Sequence, residues 1–313
     1  MITSQFPPFE GEHLYSWLVR LYKLSGFPNI TSFLDSLGIK NRFLKSHELF
    51  GETIHDCAHF FSDNKVDKLL AHSPLALWQL SLTDLASKNF NKIQRPLKQQ
   101  SHMNEQLIFN FDTSWQSCAV CRLEDLKAFG TTYWHAQHQL PSIYKCIKHS
   151  VVLDSGLMPI KNLFTAVLPH DVKNWCPSVQ SISAALDNWQ AFYESLFFAC
   201  TLSPHYSVQL RAQIDKKLDL CSRNLVARKR ICDEFNPHFE KALGPDILNY
   251  LFRDYAKPNN RSKTNILRNF LANIYQSIGV RNPIYWIAVA YWLKDDTNLM
   301  LGECHEFTGA TIL

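Results

Sequence analysis

Two short Cys/His motifs within one stretch constrain the fold more than any other feature of the sequence. Cys118 and Cys121 form a Cys-x-x-Cys pair, and Cys146 and His149 form a Cys-x-x-His pair after a spacer of 24 residues. Two ligands separated by two residues can reach one ion, because a tight turn places both side chains on the same side. Three thiolates and one imidazole complete the tetrahedron that structural zinc prefers. The sequence therefore predicts one structural Zn²⁺ bound by these four residues, with no open position for a catalytic water.

Alternative interpretations of this stretch concern the other Cys and His residues. The chain has nine Cys, so one chance Cys-x-x-Cys pair of ordinary buried thiols is plausible. A second pair ending in His at a workable distance is much less so. His135 and His138 lie between the pairs and are rival ligands, although packing in the core of a zinc module is the favoured interpretation. The other six thiols lack paired spacing and are expected to be core or surface residues: Cys57, Cys176, Cys200, Cys221, Cys232 and Cys304.

The same stretch resembles the zinc module of the TniQ/TnsD family, the target-selection proteins of Tn-seven-like bacterial transposons. The matching positions are Cys118, Cys121, Asp125, Gly130, Tyr133, Trp134, His135, His138, Gln139, Leu140, Pro141, Cys146 and His149. The N-terminal segment is similar to the start of the same family at Pro8, Glu12, Ser16 and Arg20, with Glu12 one residue closer than in the commonest form. His72 to Leu75 resembles the His-Thr-Leu region that precedes the module in that family.

This resemblance implies an adaptor protein without enzymatic activity. One side engages target DNA or a CRISPR Cascade complex guided by RNA, and the other recruits an AAA+ ATPase regulator and, through it, the transposase. Short family members can work as homodimers. The resemblance is clear over about the first 180 residues and weak beyond them. We therefore expect either a short member associated with a guide complex or part of a longer attachment-site binder.

Composition and apolar periodicity predict a mainly α protein with a small zinc-ribbon-like α+β module. Hydrophobic residues make up 46% of the chain and charged residues 19%, as in ordinary globular proteins, and only ten Gly are present. We expect a helix-turn-helix-like domain over 1–95, a zinc-binding module with its linker over 96–178 and a C-terminal helical, helix-turn-helix-like domain over 179–313.

Apolar spacing also predicts individual helices. The first carries Leu14, Trp17, Leu18, Leu21 and Leu24, and a short second helix capped by Asn29 or Thr31 ends at Gly38. Further helices are expected over 66–84, over 181–202, from Ser207 and after Gly244-Pro245, with a strand over 107–111. An aromatic helix over 283–293 is apolar around most of its surface, so it should be buried in a core or an interface.

The basic residues are candidates for nucleic-acid contact. A net charge of +4 and a pI near 8.5 are compatible with such contact without demonstrating it. The alternative is that these side chains are ordinary solvated residues on helix faces. Acidic neighbours also partly neutralise the basic residues near the C-terminal helices. The candidates are Arg20, Lys23, Lys40, Arg42 and Lys45 near the first helices, and Arg211, Lys217, Arg228, Lys229 and Arg230 near the C-terminal ones.

Several function classes lack support in the sequence. No Walker A loop, Gly-x-Ser-x-Gly elbow or His-Glu-x-x-His motif occurs, so we predict a binding protein rather than an enzyme. The N-terminus has no signal-like apolar core, so a cytoplasmic, nucleoid-associated protein with no membrane partner is expected. Two alternatives stay open. One is a zinc-containing transcription regulator that binds specific DNA sequences, and the other is a metal-dependent hydrolase.

Overall fold

A computed structural model describes the chain in several continuous segments and a few isolated positions. The segments are 6–39, 114–156, 165–203, 206–219, 223–252 and 283–295, and the isolated positions are 56–57, 59–61, 68, 71–73, 77, 80 and 267. The described residues fall into two units. The first comprises those within 6–73 and 114–181, and the second comprises those from 182 onward together with Leu77 and Leu80.

The first unit begins with two short helices. Helix α1 spans Leu14–Ser25, and the Nδ1 atom of His13 accepts a hydrogen bond from its first turn. The chain leaves α1 at Gly26, whose φ of 71° is the left-handed conformation that glycine adopts without strain. Helix α2 spans Ile30–Ser36 and is capped by Asn29 at 2.9 Å, as one of the two predicted caps. The predicted core positions of α1 are buried, except that Leu24 is 55% exposed.

A small sheet and one helix form the centre of the first unit. Strand β1 (Gln116–Ser117) leads directly into helix α3 (Ala119–Phe129), and strands β2 (Asp154–Gly156) and β3 (Trp175–Pro177) follow. The sheet order is β1-β2-β3 with both pairs antiparallel. Two short 3₁₀ turns, Ala136–Gln139 and Pro169–Asp171, join these elements. This arrangement is the α+β module that the sequence predicts.

The N-terminal helices and this module share one core. His13 donates its N–H to the Trp134 carbonyl at 2.7 Å, and Ala136 donates to the Gly11 carbonyl at 2.8 Å. The Trp134 indole is fully buried and lies 5.4 Å from that of Trp115. Residues predicted to lie in two domains, 1–95 and 96–178, therefore contribute to the same unit, because backbone and core contacts join them.

The second unit is helical. Its described helices are α4 (Ala184–Leu202), α5 (Tyr206–Leu218), α6 (Leu225–Leu251) and α7 (Ile284–Trp292). Helix α6 is interrupted at Gly244, where φ is 70° and Pro245 restarts the helix, as the Gly-Pro pair predicts. Helix α7 is buried along its length, and Tyr291 packs 5.4 Å from Trp189 of α4.

Two further findings concern the helices as a whole. No described helix combines the length and the apolar content needed to cross a bilayer. Most of the helix predicted over 66–84 lies outside the described residues, as do the strand predicted over 107–111 and the basic residues Lys40, Arg42 and Lys45.

Candidate metal centre

The four predicted ligands come from two local structures. Cys118 is the last extended residue before α3, and Cys121 lies in the first turn of that helix. Cys146 and His149 belong to a tight turn closed by the Lys145–Val152 bridge. Within it, Cys146 donates to the Val151 carbonyl and Ser150 donates to the Cys146 carbonyl, both at 2.8 Å. Each pair therefore owes its shape to local backbone geometry.

The tertiary fold brings the two pairs together. One donor atom from each of Cys118, Cys121, Cys146 and His149 lies within 4.8 Å of the other three. The Sγ atoms of Cys121 and Cys146 are 3.8 Å apart, and the Nδ1 atom of His149 lies 3.3–3.6 Å from the three sulfurs. A tetrahedral ion with Zn–S and Zn–N bonds of usual length separates two sulfurs by about 3.8 Å and a sulfur from a nitrogen by about 3.6 Å. The cluster therefore fits one tetrahedral metal ion.

The protonation of the cluster also favours a cation. All three thiols are buried, and His149 is partly exposed. Hydrogen bonds from Cys121 and Cys146 lower the pKa of the Cys118 thiol. The hydrogen bonds of Cys121 with Cys118 and Cys146, together with burial, raise the pKa of the Cys121 thiol. Three thiolates this close repel one another, so all three can be deprotonated together only around a positive ion.

Glu124 supports the imidazole ligand from outside. Its Oε1 atom lies 3.3 Å from Nε2 of His149, and its Oε2 atom accepts a hydrogen bond from Lys148 at 2.6 Å. The hydrogen bond from Lys148 lowers the pKa of this carboxyl group. A carboxylate on the outer nitrogen fixes the ring tautomer and leaves Nδ1 free to bind metal.

The rival ligands occupy other positions. Nε2 of His135 pairs with the buried carboxylate of Asp125 at 3.0 Å, and Nε2 of His138 lies 3.8 Å from the Cys121 sulfur. Burial lowers the pKa of His138 well below its usual value. Among the described residues, the donor cluster consists of four protein ligands, and none of them is a carboxylate. The metal-dependent hydrolase alternative therefore gains no support from this site.

Other residues of the family-like pattern hold the first unit together, a role that the sequence analysis did not assign. Gln139 accepts a hydrogen bond from the Gln116 N–H at 3.1 Å and donates one to its carbonyl at 2.7 Å, so β1 is tied to the 3₁₀ turn. The guanidinium of Arg20 bonds both carboxylate oxygens of Glu12, at 2.7 and 3.1 Å, and also donates to the Pro7 carbonyl. Glu12 lies eight residues before Arg20 in the sequence, a spacing that does not by itself indicate an ion pair.

Two of the residues that the sequence analysis named as candidates for nucleic-acid contact are buried. Arg20 and Arg228 are each only 6% exposed. Arg20 is bound by Glu12, and Arg228 donates to the Arg223 carbonyl at 2.7 Å. Both guanidinium groups bond to other groups of the fold. We therefore leave Arg20 and Arg228 out of the residues proposed to contact DNA.

The remaining described candidates lie closer to solvent. Lys23 pairs with Asp171 at 2.7 Å, and Arg211 lies 5.4 Å above the Trp286 ring. Lys217 is exposed at the end of α5, and Lys229 is half-buried on α6. Arg230 is exposed and pairs with Glu234. The structure brings Lys217, Lys229 and Arg230 into the second unit and Lys23 into the first.

The fold and the cluster define a mainly helical protein with a Cys₃His module that can bind one metal ion, consistent with structural zinc. Residues 4–153 match the family model described as TniQ. This span contains both the N-terminal helices and the four-ligand cluster, and the match supports membership of the TniQ family and an association with transposition. No curated protein gives a significant match to the chain.

Proposed function

We propose that this protein is a target-selection factor for DNA transposition. In this role it is a non-catalytic adaptor that engages target DNA or an RNA-guided Cascade complex. It also recruits an AAA+ regulator of the TnsC type and, through it, the transposase. The observation that carries the proposal is the TniQ match over 4–153, which spans the helices and the module that one core unites.

The metal has a structural role in this proposal. One Zn²⁺ is held by Cys118, Cys121, Cys146 and His149 and stabilises the fold that presents the binding surfaces. Four protein donors fill the tetrahedral coordination shell, which supports a structural rather than a catalytic ion. Elemental analysis of the purified protein should give one zinc per chain.

Direct DNA contact is assigned to basic residues of the second unit, namely Lys217, Arg223, Lys229 and Arg230, with Arg211 as a further candidate. Arg223 and Arg230 form exposed ion pairs with Asp219 and Glu234, respectively. Exposed pairs contribute at most about 1 kcal/mol, so DNA phosphates can replace the carboxylates. The buried Arg20–Glu12 pair cannot exchange in this way, because separating it leaves a buried charge without a partner.

A salt titration tests this assignment. The zinc-loaded protein is mixed with labelled duplex DNA taken from sequence flanking its own element. We expect charge reversal at Lys229 and Arg230 to weaken binding and to reduce the salt dependence by about one phosphate contact per residue. Charge reversal at Lys127, an exposed lysine of α3 in the first unit, is the matched control and should leave the salt slope unchanged.

Recruitment is tested separately. The immobilised protein is offered the AAA+ regulator and the Cascade complex encoded by the same element. Retention of the regulator, together with retention of Cascade or tight binding to flanking DNA, is the expected result. Binding to operator-like DNA as a two-fold dimer, with no retention of the regulator, would instead identify a transcription regulator. The proposed setting is the bacterial cytoplasm, in association with the nucleoid, and the same pull-down run with two tags tests homodimer formation.

A further inference from the structure

We propose that His138 is a positioning residue of the metal centre, whose Nε2–H donates a hydrogen bond to the sulfur of Cys121. The inference rests on the metal binding proposed above. It concerns a residue outside the four-ligand set and assigns to it a definite tautomer and a definite effect on the bound ion.

The geometry places this imidazole against one ligand. His138 lies in the 3₁₀ turn Ala136–Gln139, and its Nε2 atom is 3.8 Å from the Cys121 sulfur, within hydrogen-bonding range for sulfur. Both residues are only 3% exposed, so water does not compete for either group. The turn itself is fixed by Gln139, whose side chain bonds both backbone groups of Gln116. The ring is therefore held beside the sulfur by the fold around it.

The surroundings of the ring select one tautomer. In a neutral imidazole one ring nitrogen carries the N–H and the other is an acceptor, and the partners of the two nitrogens decide which is which. The Nδ1 atom is buried and has no hydrogen-bond partner among the described residues. A proton on Nδ1 would leave a buried donor unsatisfied and would turn the lone pair of Nε2 toward the sulfur of Cys121. A proton on Nε2 avoids both costs and makes the N–H···S contact.

This contact matters because of the charge of the loaded site. Three thiolates and one neutral imidazole around a divalent cation carry a net charge of about −1, much of it on sulfur. An N–H donor aimed at one sulfur takes up part of that charge and holds the ligand in position. Outer contacts of this kind typically change metal affinity by about 10–100-fold.

Cobalt(II) reports this effect, because thiolate-to-cobalt charge-transfer bands respond to hydrogen bonds at sulfur. His138→Met and His138→Gln form a matched pair: the side chains have nearly the same shape, and only Gln carries an N–H near the position of Nε2. We expect His138→Met to shift the band to lower energy and to weaken cobalt binding by about 10–100-fold, while His138→Gln retains most of both properties. Gln137→Met alters the exposed neighbour in the same turn and should match the wild type.

Two results separate this inference from the metal assignment. If the wild-type protein gives no tetrahedral thiolate–cobalt spectrum, the metal centre itself is wrong. If the wild-type spectrum is present and the Met and Gln variants give the same band and affinity as the wild type, only the role of His138 is wrong.

A measurement on the wild-type protein avoids any folding defect of the variants. In zinc-loaded protein labelled with nitrogen-15 histidine, long-range proton–nitrogen correlations report which ring nitrogen carries the proton. The Nε2–H pattern at His138 is expected. The Nδ1–H pattern would overturn the proposal.

Discussion

The side-chain oxygen of Ser16 accepts a hydrogen bond from the backbone N–H of Trp134 at 3.0 Å, across 118 residues of sequence. Ser16 lies in α1, and Trp134 follows α3, which begins directly after Cys118 and carries Cys121. Burial raises the pKa of Glu12, the partner of Arg20, and the neighbouring Ser16 hydroxyl acts against that rise. One buried polar network thus joins the N-terminal pattern to the metal module, so the two parts should lose stability together.

Ser16→Ala should lower the free energy of unfolding by about 1–3 kcal/mol, because it leaves the Trp134 N–H buried without an acceptor. Urea titration followed by tryptophan fluorescence measures the change. Ser195→Ala on α4 is the control, because that hydroxyl is exposed and bonds only within its own helix. Equal effects of the two substitutions would mean that the Trp134 contact does not contribute to stability.

Arg20→Met should destabilise the protein by about 3–5 kcal/mol, because it leaves the Glu12 carboxylate buried without its charged partner. Arg20→Lys should recover only part of this loss, since a single ammonium group cannot reproduce the two contacts with Glu12 and the one with Pro7. Lys23→Met, which removes an exposed cation of the same helix, should cost less than about 1 kcal/mol. Denaturant unfolding of the three variants tests this order, and a harmless Arg20→Met would contradict the burial of the pair.

Cys118→Ser should abolish stoichiometric zinc binding and unfold the first unit, since metal-binding energy is folding energy in such modules. The loss should amount to several kcal/mol, measured by thermal unfolding together with elemental analysis. Cys176→Ser is the matched control, because Cys176 is an exposed thiol of β3 outside the cluster. A Cys118→Ser protein that keeps both its metal and its melting temperature would refute the ligand assignment.

Gln139→Leu should destabilise the first unit, because it leaves the N–H and the C=O of Gln116 without their side-chain partner, at about 1–3 kcal/mol for each buried group. Gln137→Leu alters the exposed neighbour in the same 3₁₀ turn and should have an effect within about 0.5 kcal/mol. Hydrogen exchange at the Gln116 amide gives a local readout. It should accelerate strongly in the first variant and stay protected in the second.

Asp171→Asn should have a small effect that depends on pH. Partial burial acts to raise the pKa of Asp171, but hydrogen bonds from Lys23 and the Leu168 N–H outweigh it and lower the pKa below its usual value of 3.8. The folded pKa is thus below the unfolded one, so the carboxylate contributes stability above about pH 4 and loses it as the pH falls through the folded value. Near neutral pH the variant should be less stable by under about 1 kcal/mol. Urea unfolding across a pH series should show the stability difference between the wild type and the variant shrinking on acidification. A difference that stays constant with pH would exclude the ion pair as its cause.

The sequence by itself determined the features that depend on neighbouring residues. The two ligands of each Cys/His pair are three positions apart, so the geometry of a single turn decides whether both face one ion. The Asn29 cap, the left-handed Gly26 and the break at Gly244-Pro245 follow from the local chemistry of those residues. Helix α7 was predicted to be buried because apolar side chains surround it.

Only the tertiary structure decided which distant groups meet. The burial of Arg20 and Arg228 could not be inferred from charge, since an arginine is expected in solvent unless packing supplies a partner. The same holds for the contacts from Ser16 to Trp134, from Gln139 to Gln116 and from His138 to Cys121. Each depends on the relative position of two elements, which is set by the summed packing of the aromatic core and not by the spacing of any motif.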